Sequence, residues 1–315
     1  MIVLFIASGN SSNGISPIVR AQGKSLQRVG VDVTYFPILG KGLKGYLKNV
    51  HPLERHIKKN KYDIIHAHYS LSALVASLAG CRPLVVSLMG SDIRLGFIFS
   101  YAVKISAFCL WDALIVKSAD MLNHIGLKKS TIIPNGVDLA HFKPEDKKGA
   151  QGRLGWNRAK EHVLFAANPT IAVKNFELLE NALVSMDNGD QMDCHVLGNI
   201  AHQDIPTHMN AADVVVLTSL REGSPNVVKE AMACNCPIVA TDVGDVRWVV
   251  GDTPGCYVSS FDPADVADKL MQALMFAQLH GKTNGRDRIV SLGLDSETVA
   301  RKIMDVYNEA LEKSA

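Results

Sequence analysis

The six cysteines form no CxxC pair, and Cys234-Asn-Cys236 is too tight for a common zinc spacing, with no Cys or His pair beside it. That excludes the usual zinc knuckle and a redox dithiol. Most of the six lie in apolar runs, which predicts buried, reduced thiols and a cytoplasmic chain. A secretion signal is missing as well. The opening MIVLFIAS is apolar, but it has no basic segment and is too short for a signal core plus cleavage site, so it reads as a strand. No apolar run is clean enough to span a membrane. The most apolar stretch, residues 97–116, is interrupted by Lys104 and Asp112 and predicts a buried helix over about 97–110, then a strand. Charge of one sign is also absent: 33 Lys and Arg face 31 Asp and Glu. No nucleic-acid-binding motif is present, so no nucleic-acid partner is expected.

What is present is an ordinary globular composition, 47% hydrophobic and 20% charged. At 315 residues the chain stands near the size at which one core divides into two. The charge is unevenly placed. Residues 1–150 hold 19 basic against 9 acidic residues, and residues 151–315 hold 14 against 22. Two halves with different partners are expected.

Short β-branched runs alternate with helical periods along the chain. Strands are predicted near 2–7, 32–36, 63–66, 84–87, 113–117 and 130–133, with helices near 16–29, 47–59, 70–79, 97–110 and 118–125. Repeated βα units imply a parallel sheet covered on both faces. Residues 134–160 are rich in Pro, Gly and charge and read as a linker or hinge. The alternation then resumes, with strands near 163–167, 194–198, 213–217, 237–241 and 256–258 and helices near 175–186, 225–234 and 263–280. Residues 296–312 form one last amphipathic helix. The expected fold class is α/β: two doubly wound parallel-sheet domains facing a cleft. They cover 1–140, with the terminal helix 296–315 packed back on it, and 145–295. A (β/α)8 barrel would run without such a break.

The loop Gly9-Asn-Ser-Ser-Asn-Gly14-Ile-Ser16 has the outline of a P-loop, but Ile15 stands where the lysine belongs. A nucleoside triphosphate is therefore not expected there, and the dinucleotide fingerprint GxGxxG is absent. What remains is a turn with free amides at a helix start, able to approach an anion or a sugar.

The stronger constellation runs from Arg221 to Ala233, after the strand VVVLTS. Ser224 is a good N-cap and Pro225 a good first residue, which predicts a helix from Pro225 to about Cys234. Its free amides on Asn226, Val227 and Val228 would face the strand's carboxyl end, where a diphosphate would sit well. Glu222 precedes the helix and Glu230 lies one and a half turns into it. Carboxylates are poor phosphate ligands, so their expected partners are sugar hydroxyls. A solvated glutamate pair is the other reading of the same spacing.

Glu222 and Glu230 resemble the E-x7-E motif of retaining GT-B glycosyltransferases, in particular family 4. Nearly the whole chain follows that family's order: the glycine loop, Asp63-Ile-Ile-His66-Ala-His68, Gly90-Ser91-Asp92, Ile133-Pro-Asn-Gly136-Val-Asp138, Asn210-Ala-Ala-Asp213-Val and the last helix. The resemblance implies the GT-B fold. It implies transfer, with retention, of a sugar from a nucleotide-diphosphate sugar to a glycan or lipid-linked acceptor in cell-surface polysaccharide synthesis, with a UDP-sugar as the expected donor. In such an enzyme Glu222 would contact the donor sugar and Glu230 the ribose. Ser224, Pro225 and the amides of Asn226 and Val227 would hold the diphosphate, together with Gly14. Lys174 would neutralise the leaving diphosphate, so that neither a metal nor another cofactor is needed. Gly198 would lie near the base, and His66 and His68 on the acceptor side.

Two departures from the family are visible. Many relatives carry an Arg shortly before the lysine; here Asn168 stands nearest that place. Many carry a His before the Gly-x-Asp turn; here it is Met89, so a catalytic role at that turn would pass to Asp92. Asp92 reads equally as a helix N-cap. His66 and His68 alternate on a strand and share a face, so either could equally be a satisfied core histidine. No carboxylate or Cys nearby completes a metal set with them, and the other histidines form no constellation. Lys41, Lys44, Lys48, Arg55, Lys58, Lys59 and Lys61, with leucines interleaved, could seat the first domain on an anionic membrane surface or simply be a solvated face. The departures also keep two other functions open: a nucleotide-sugar epimerase of GT-B fold, or a non-catalytic subunit of a glycosyltransferase complex.

Overall fold

The computed structural model describes residues 1–11, 14–90, 104–107, 109–126, 130–186, 191–198 and 200–314. The chain divides into two compact units, Met1–Gly136 with Ser296–Ala315, and Val137–Asp295. Each is built on one parallel sheet.

In the first unit the strands are β1 (Ile2–Ser8), β2 (Asp32–Ile38), β3 (Ile64–His68), β4 (Leu84–Ser87), β5 (Ala113–Val116) and β6 (Ser130–Ile132). Their order is β2-β1-β3-β4-β5-β6. Val3 lies opposite Val33 on one side and Ile64 on the other. Both faces of the inner strands are covered, so β1, β3, β4 and β5 are buried almost throughout, whereas the edge strands β2 and β6 carry exposed residues. Leu4, Ile6, Val86 and Leu114 share one core with Ala73, Val75 and Ala76 of the helix Ser70–Leu78. Val3, Phe5, Val85 and Ile115 share the other with Val19 and Leu26 of the helix Pro17–Arg28. Val299, Ile303 and Tyr307 of the last helix, Ser296–Ser314, complete that second core.

The single helix expected over 47–59 is two helices, Gly42–Leu47 and Val50–Lys59. Asn49 separates them. Its side-chain amide donates to the carbonyls of Leu39, Gly45 and Tyr46, closing the first helix. Most of the helix expected over about 97–110 lies outside the described residues.

In the second unit the strands are β7 (Glu161–Phe165), β8 (Met192–Val196), β9 (Val214–Leu217), β10 (Ile238–Thr241) and β11 (Cys256–Ser259). Their order is β11-β10-β9-β7-β8. Leu164, Val215 and Leu217 pack with Val228, Ala231 and Met232 of the helix Asn226–Ala233. Val163, Phe165 and Val216 pack with Leu179 of the helix Phe176–Ser185 and with Leu270 and Leu274 of the helix Pro263–His280.

The stretch read as a linker contains a helix, Lys147–Leu154. Asp146 caps it by accepting from the Gly149 amide at 2.7 Å, and Gly155 ends it in the left-handed conformation. Short helices at Ile205–Ala211, Val246–Val250 and Gly285–Ser291 were not foreseen either. All six cysteines are free. Four are buried, whereas Cys109 and Cys194 are exposed. No helix among the described residues is long and apolar enough to cross a membrane.

Candidate functional site

The order of the second sheet reverses between β7 and β9: β8 lies on one side of β7, and β9, β10 and β11 lie on the other. In open parallel sheets the carboxyl ends of the strands at such a reversal form a crevice, because the following loops diverge to opposite faces. The loops leaving β7 and β9 here carry Asn168, Lys174 and Glu222.

Lys174 ends the 3-10 turn Ala172–Lys174, and Asn175 beyond it is left-handed, with φ 53°. The segment after β9 pins this turn. The Leu220 amide donates to the Val173 carbonyl at 2.9 Å. The Thr218 hydroxyl donates to the carbonyls of Lys174 at 3.1 Å and Asn175 at 2.8 Å. Lys174 Nζ thereby meets Glu222 Oε1 at 2.5 Å, and Ser219 Oγ donates to the same oxygen at 2.9 Å. Both charged side chains are mostly buried, 26% and 18% exposed, yet still reachable from solvent. Gly244 closes the far side of this loop. It is left-handed, and a Cβ there would lie 2.5 Å from the Gly223 carbonyl oxygen.

The helix begins at Asn226, not at Pro225. Pro225 is extended (φ −67°, ψ 116°) and occupies the cap position without a side-chain cap bond. The Ser224 cap is therefore corrected. Its Oγ instead accepts from Lys229 Nζ at 2.9 Å. Lys229 is fully buried, and burial pushes its ammonium down to about 8 against the opposing pull of Asp245 and Glu230. Burial in turn raises Asp245 above the ordinary carboxylate range. With no side-chain cap, the helix start keeps its amides at Asn226 and Val227 for another acceptor. Glu230 faces His202, whose Nε2 lies 3.9 Å from its carboxylate and whose ring stacks on His141. Gly198 abuts Asn168: a Cβ on Gly198 would lie 3.7 Å from Asn168 Cα. The Asn168 Oδ1 accepts from the Thr170 amide and hydroxyl, so it serves its own turn.

In the first unit, Gly14 is left-handed and its amide donates to the Ser11 carbonyl. His66 and His68, at the carboxyl end of β3, are buried. His66 is satisfied: Nδ1 lies 2.6 Å from the Tyr307 hydroxyl of the last helix, and Nε2 lies 2.8 Å from Ser87 Oγ. His68 stacks on His66 at 4.3 Å, and neither of its ring nitrogens has a hydrogen-bond partner among the described residues. Burial and then the Lys117 cation push His68 down to about 3. Asp92 lies outside the described residues.

Ser219, Thr218, Lys229 and Gly244 were missed in the sequence. Only Gly244, in a Thr-Asp-Val-Gly-Asp turn, offered any local signal. The statement that the remaining histidines form no constellation is also corrected. His162, His195 and Asp193 lie together, with one ligand atom of each within 4.8 Å of the others.

The chemistry available is clear. A primary ammonium, a free helix start and a carboxylate converge where a crevice is expected: two groups for an anion and one for hydroxyls. Comparison with known proteins points the same way. Residues 11–141 match the family model described as Glycosyltransferase Family 4, and residues 152–275 match Glycosyl transferases group 1. A D-inositol 3-phosphate glycosyltransferase of Geodermatophilus obscurus is 28% identical over 273 residues, covering 69% of this chain and 60% of the relative's length. The UDP-Gal:alpha-D-GlcNAc-diphosphoundecaprenol alpha-1,3-galactosyltransferase of Escherichia coli is 26% identical, covering 83% of this chain and 79% of its own. Anabaena HepE, solved in complex with UDP and glucose, superimposes with a TM-score of 0.79 at 20% identity, covering 97% of this chain and 99% of its own. The chain belongs to the group 1, family 4 glycosyltransferases, and its two parallel-sheet units are those of the GT-B fold.

Proposed function

We propose that this protein transfers a hexose, with retention, from a UDP-sugar to a glycan or lipid-linked acceptor of cell-surface polysaccharide synthesis. The observation that carries this is the Lys174–Glu222 pair at the sheet reversal, beside the uncapped helix start at Asn226. A diphosphate accepts from the helix amides and draws the Lys174 ammonium to itself. Glu222 is then released to accept from donor hydroxyls, and Ser219 keeps it oriented. Lys174 and the helix amides neutralise the charge that develops as the diphosphate leaves. A divalent metal is not needed for that step. Glu230 accepts from the ribose, and Gly198 and Asn168 border the base. The uridine and lipid-diphosphate choices draw support from the named substrates of the Escherichia coli relative and from the UDP of the HepE structure.

The acceptor belongs to the first unit, on the side of His66 and His68 at the carboxyl end of β3. Lys41, Lys44 and Lys48 are exposed alongside Leu39, Leu43 and Leu47, which are 61%, 52% and 38% exposed. Cations among solvent-facing leucines suit peripheral contact with an anionic membrane at its cytoplasmic face.

The test is transfer from labelled UDP-hexoses to polyprenyl-diphosphate-linked sugars, with Glu222→Gln as control. Wild type is expected to transfer, and the variant to lose about a hundredfold or more of kcat, the scale of a lost transition-state contact. A Glu222→Gln protein with full kcat would contradict the assignment.

A further inference from the structure

The second unit carries a side-chain cluster that sugar transfer does not use. His162 on β7 and Asp193 and His195 on β8 project from one face of the sheet, because His162 pairs with Asp193, Leu164 pairs with His195, and side chains alternate. β8 is an edge of that sheet. We propose that His162 Nδ1, His195 Nε2 and one Asp193 carboxylate oxygen form a divalent transition-metal site that clips the edge strand β8 to β7.

The surrounding contacts prepare the ligands. His162 Nε2 lies 3.0 Å from the carbonyl of Asn157, which can only accept, so Nε2 carries the proton and Nδ1 presents its lone pair. That lone pair faces His195 Nε2 at 3.0 Å. Two nitrogens bound to one tetrahedral zinc, each about 2.0–2.1 Å from it, stand roughly 3.3 Å apart, close to this separation. Without metal, a proton on His195 Nε2 bridges the two rings. With metal, that proton moves to His195 Nδ1 and both lone pairs turn to the ion, so no net proton is released. Trp156 stacks on the His195 ring, centroids 3.6 Å apart and planes 5° apart, and fixes its plane.

Two imidazoles and one carboxylate suit the zinc class of ions over magnesium or calcium, with water in the open position. The Asn157 carbonyl behind His162 is the usual outer partner of a metal-bound imidazole. Lys160 Nζ, 2.9 Å from Asp193 Oδ1, is a competitor for the same carboxylate.

The test uses the full chain, stripped with EDTA and dialysed, with ZnCl2 or MgCl2 added alone. Zinc is expected to raise the thermal midpoint by several degrees, and magnesium to leave it unchanged. His195→Gln and Asp193→Asn, both at partly exposed places, should abolish the zinc shift. Lys160→Gln, which removes the competitor, should enlarge it. Cobalt chloride should give a visible absorption band in wild type that His195→Gln loses. Absence of a zinc shift in wild type, or a shift that both ligand variants retain, would overturn the site and leave a plain hydrogen bond between two histidines.

Discussion

Lys229 shows how one residue is set by its surroundings. An ammonium with almost no solvent contact is held by the Ser224 hydroxyl under the loop that carries Glu222. Its pKa is about 8 in the fold, against 10.5 in free solution. Between those values the unfolded chain binds more protons than the folded one, so this residue makes stability rise with pH there; below about 8 its cost is constant. Lys229→Met removes that rise. Urea unfolding at pH 7.5 and pH 10 should show wild type gaining on the variant as pH increases. An unchanged difference would mean that the ammonium is not desolvated as described.

Lys229 gave no signal in the sequence, because its burial comes from packing within the second unit. Glu222 drew attention through its spacing to Glu230 and its place after a strand, although that spacing fits a solvated glutamate pair equally well. The convergence of Lys174 and Ser219 on one Glu222 oxygen was not. Lys174 lies 48 residues away and reaches Glu222 only because β7 and β9 are neighbours. His162 and His195, 33 residues apart, meet for the same kind of reason across β7 and β8.

At the scale of elements, buried parallel strands are the easiest to read. Runs such as Leu84–Ser87 and Val214–Leu217 are apolar on both faces, so any period finds them. Short helices without an apolar stripe are the hardest. Lys147–Leu154 reads KKGAQGRL, and two interior glycines and no hydrophobic period made it look like linker. Its signal lies in its ends, Asp146 before and Gly155 after. Asp146→Ala should cost about 1 kcal/mol of stability, the usual loss of an N-cap. Chemical denaturation checks this, and a change within error would show that the lysine-rich first turn gains nothing from the cap. The split at Asn49 was hidden likewise, since no sequence period shows a side chain donating to the Gly45 and Tyr46 carbonyls of the preceding turn and to the Leu39 carbonyl ahead of the helix.

At the scale of the molecule, the chain passes between its two units at Gly136–Val137 and again at Asp295–Ser296. Its last helix returns to fill the core of the first unit, and Tyr307 joins His66 there at 2.6 Å. The second unit is left with its own sheet reversal and the Lys174–Glu222 pair beside a helix start. The central claim is that this place binds a nucleoside diphosphate. Calorimetric titration of UDP into wild type and Lys174→Ala, with EDTA present throughout, tests it most directly. Loss of a charge-assisted contact of about 1.5–3 kcal/mol predicts UDP binding in wild type, weakened about ten- to hundredfold in the variant, with unchanged thermal stability in the absence of ligand. Equal affinity in the two proteins, or no binding to wild type, would contradict it.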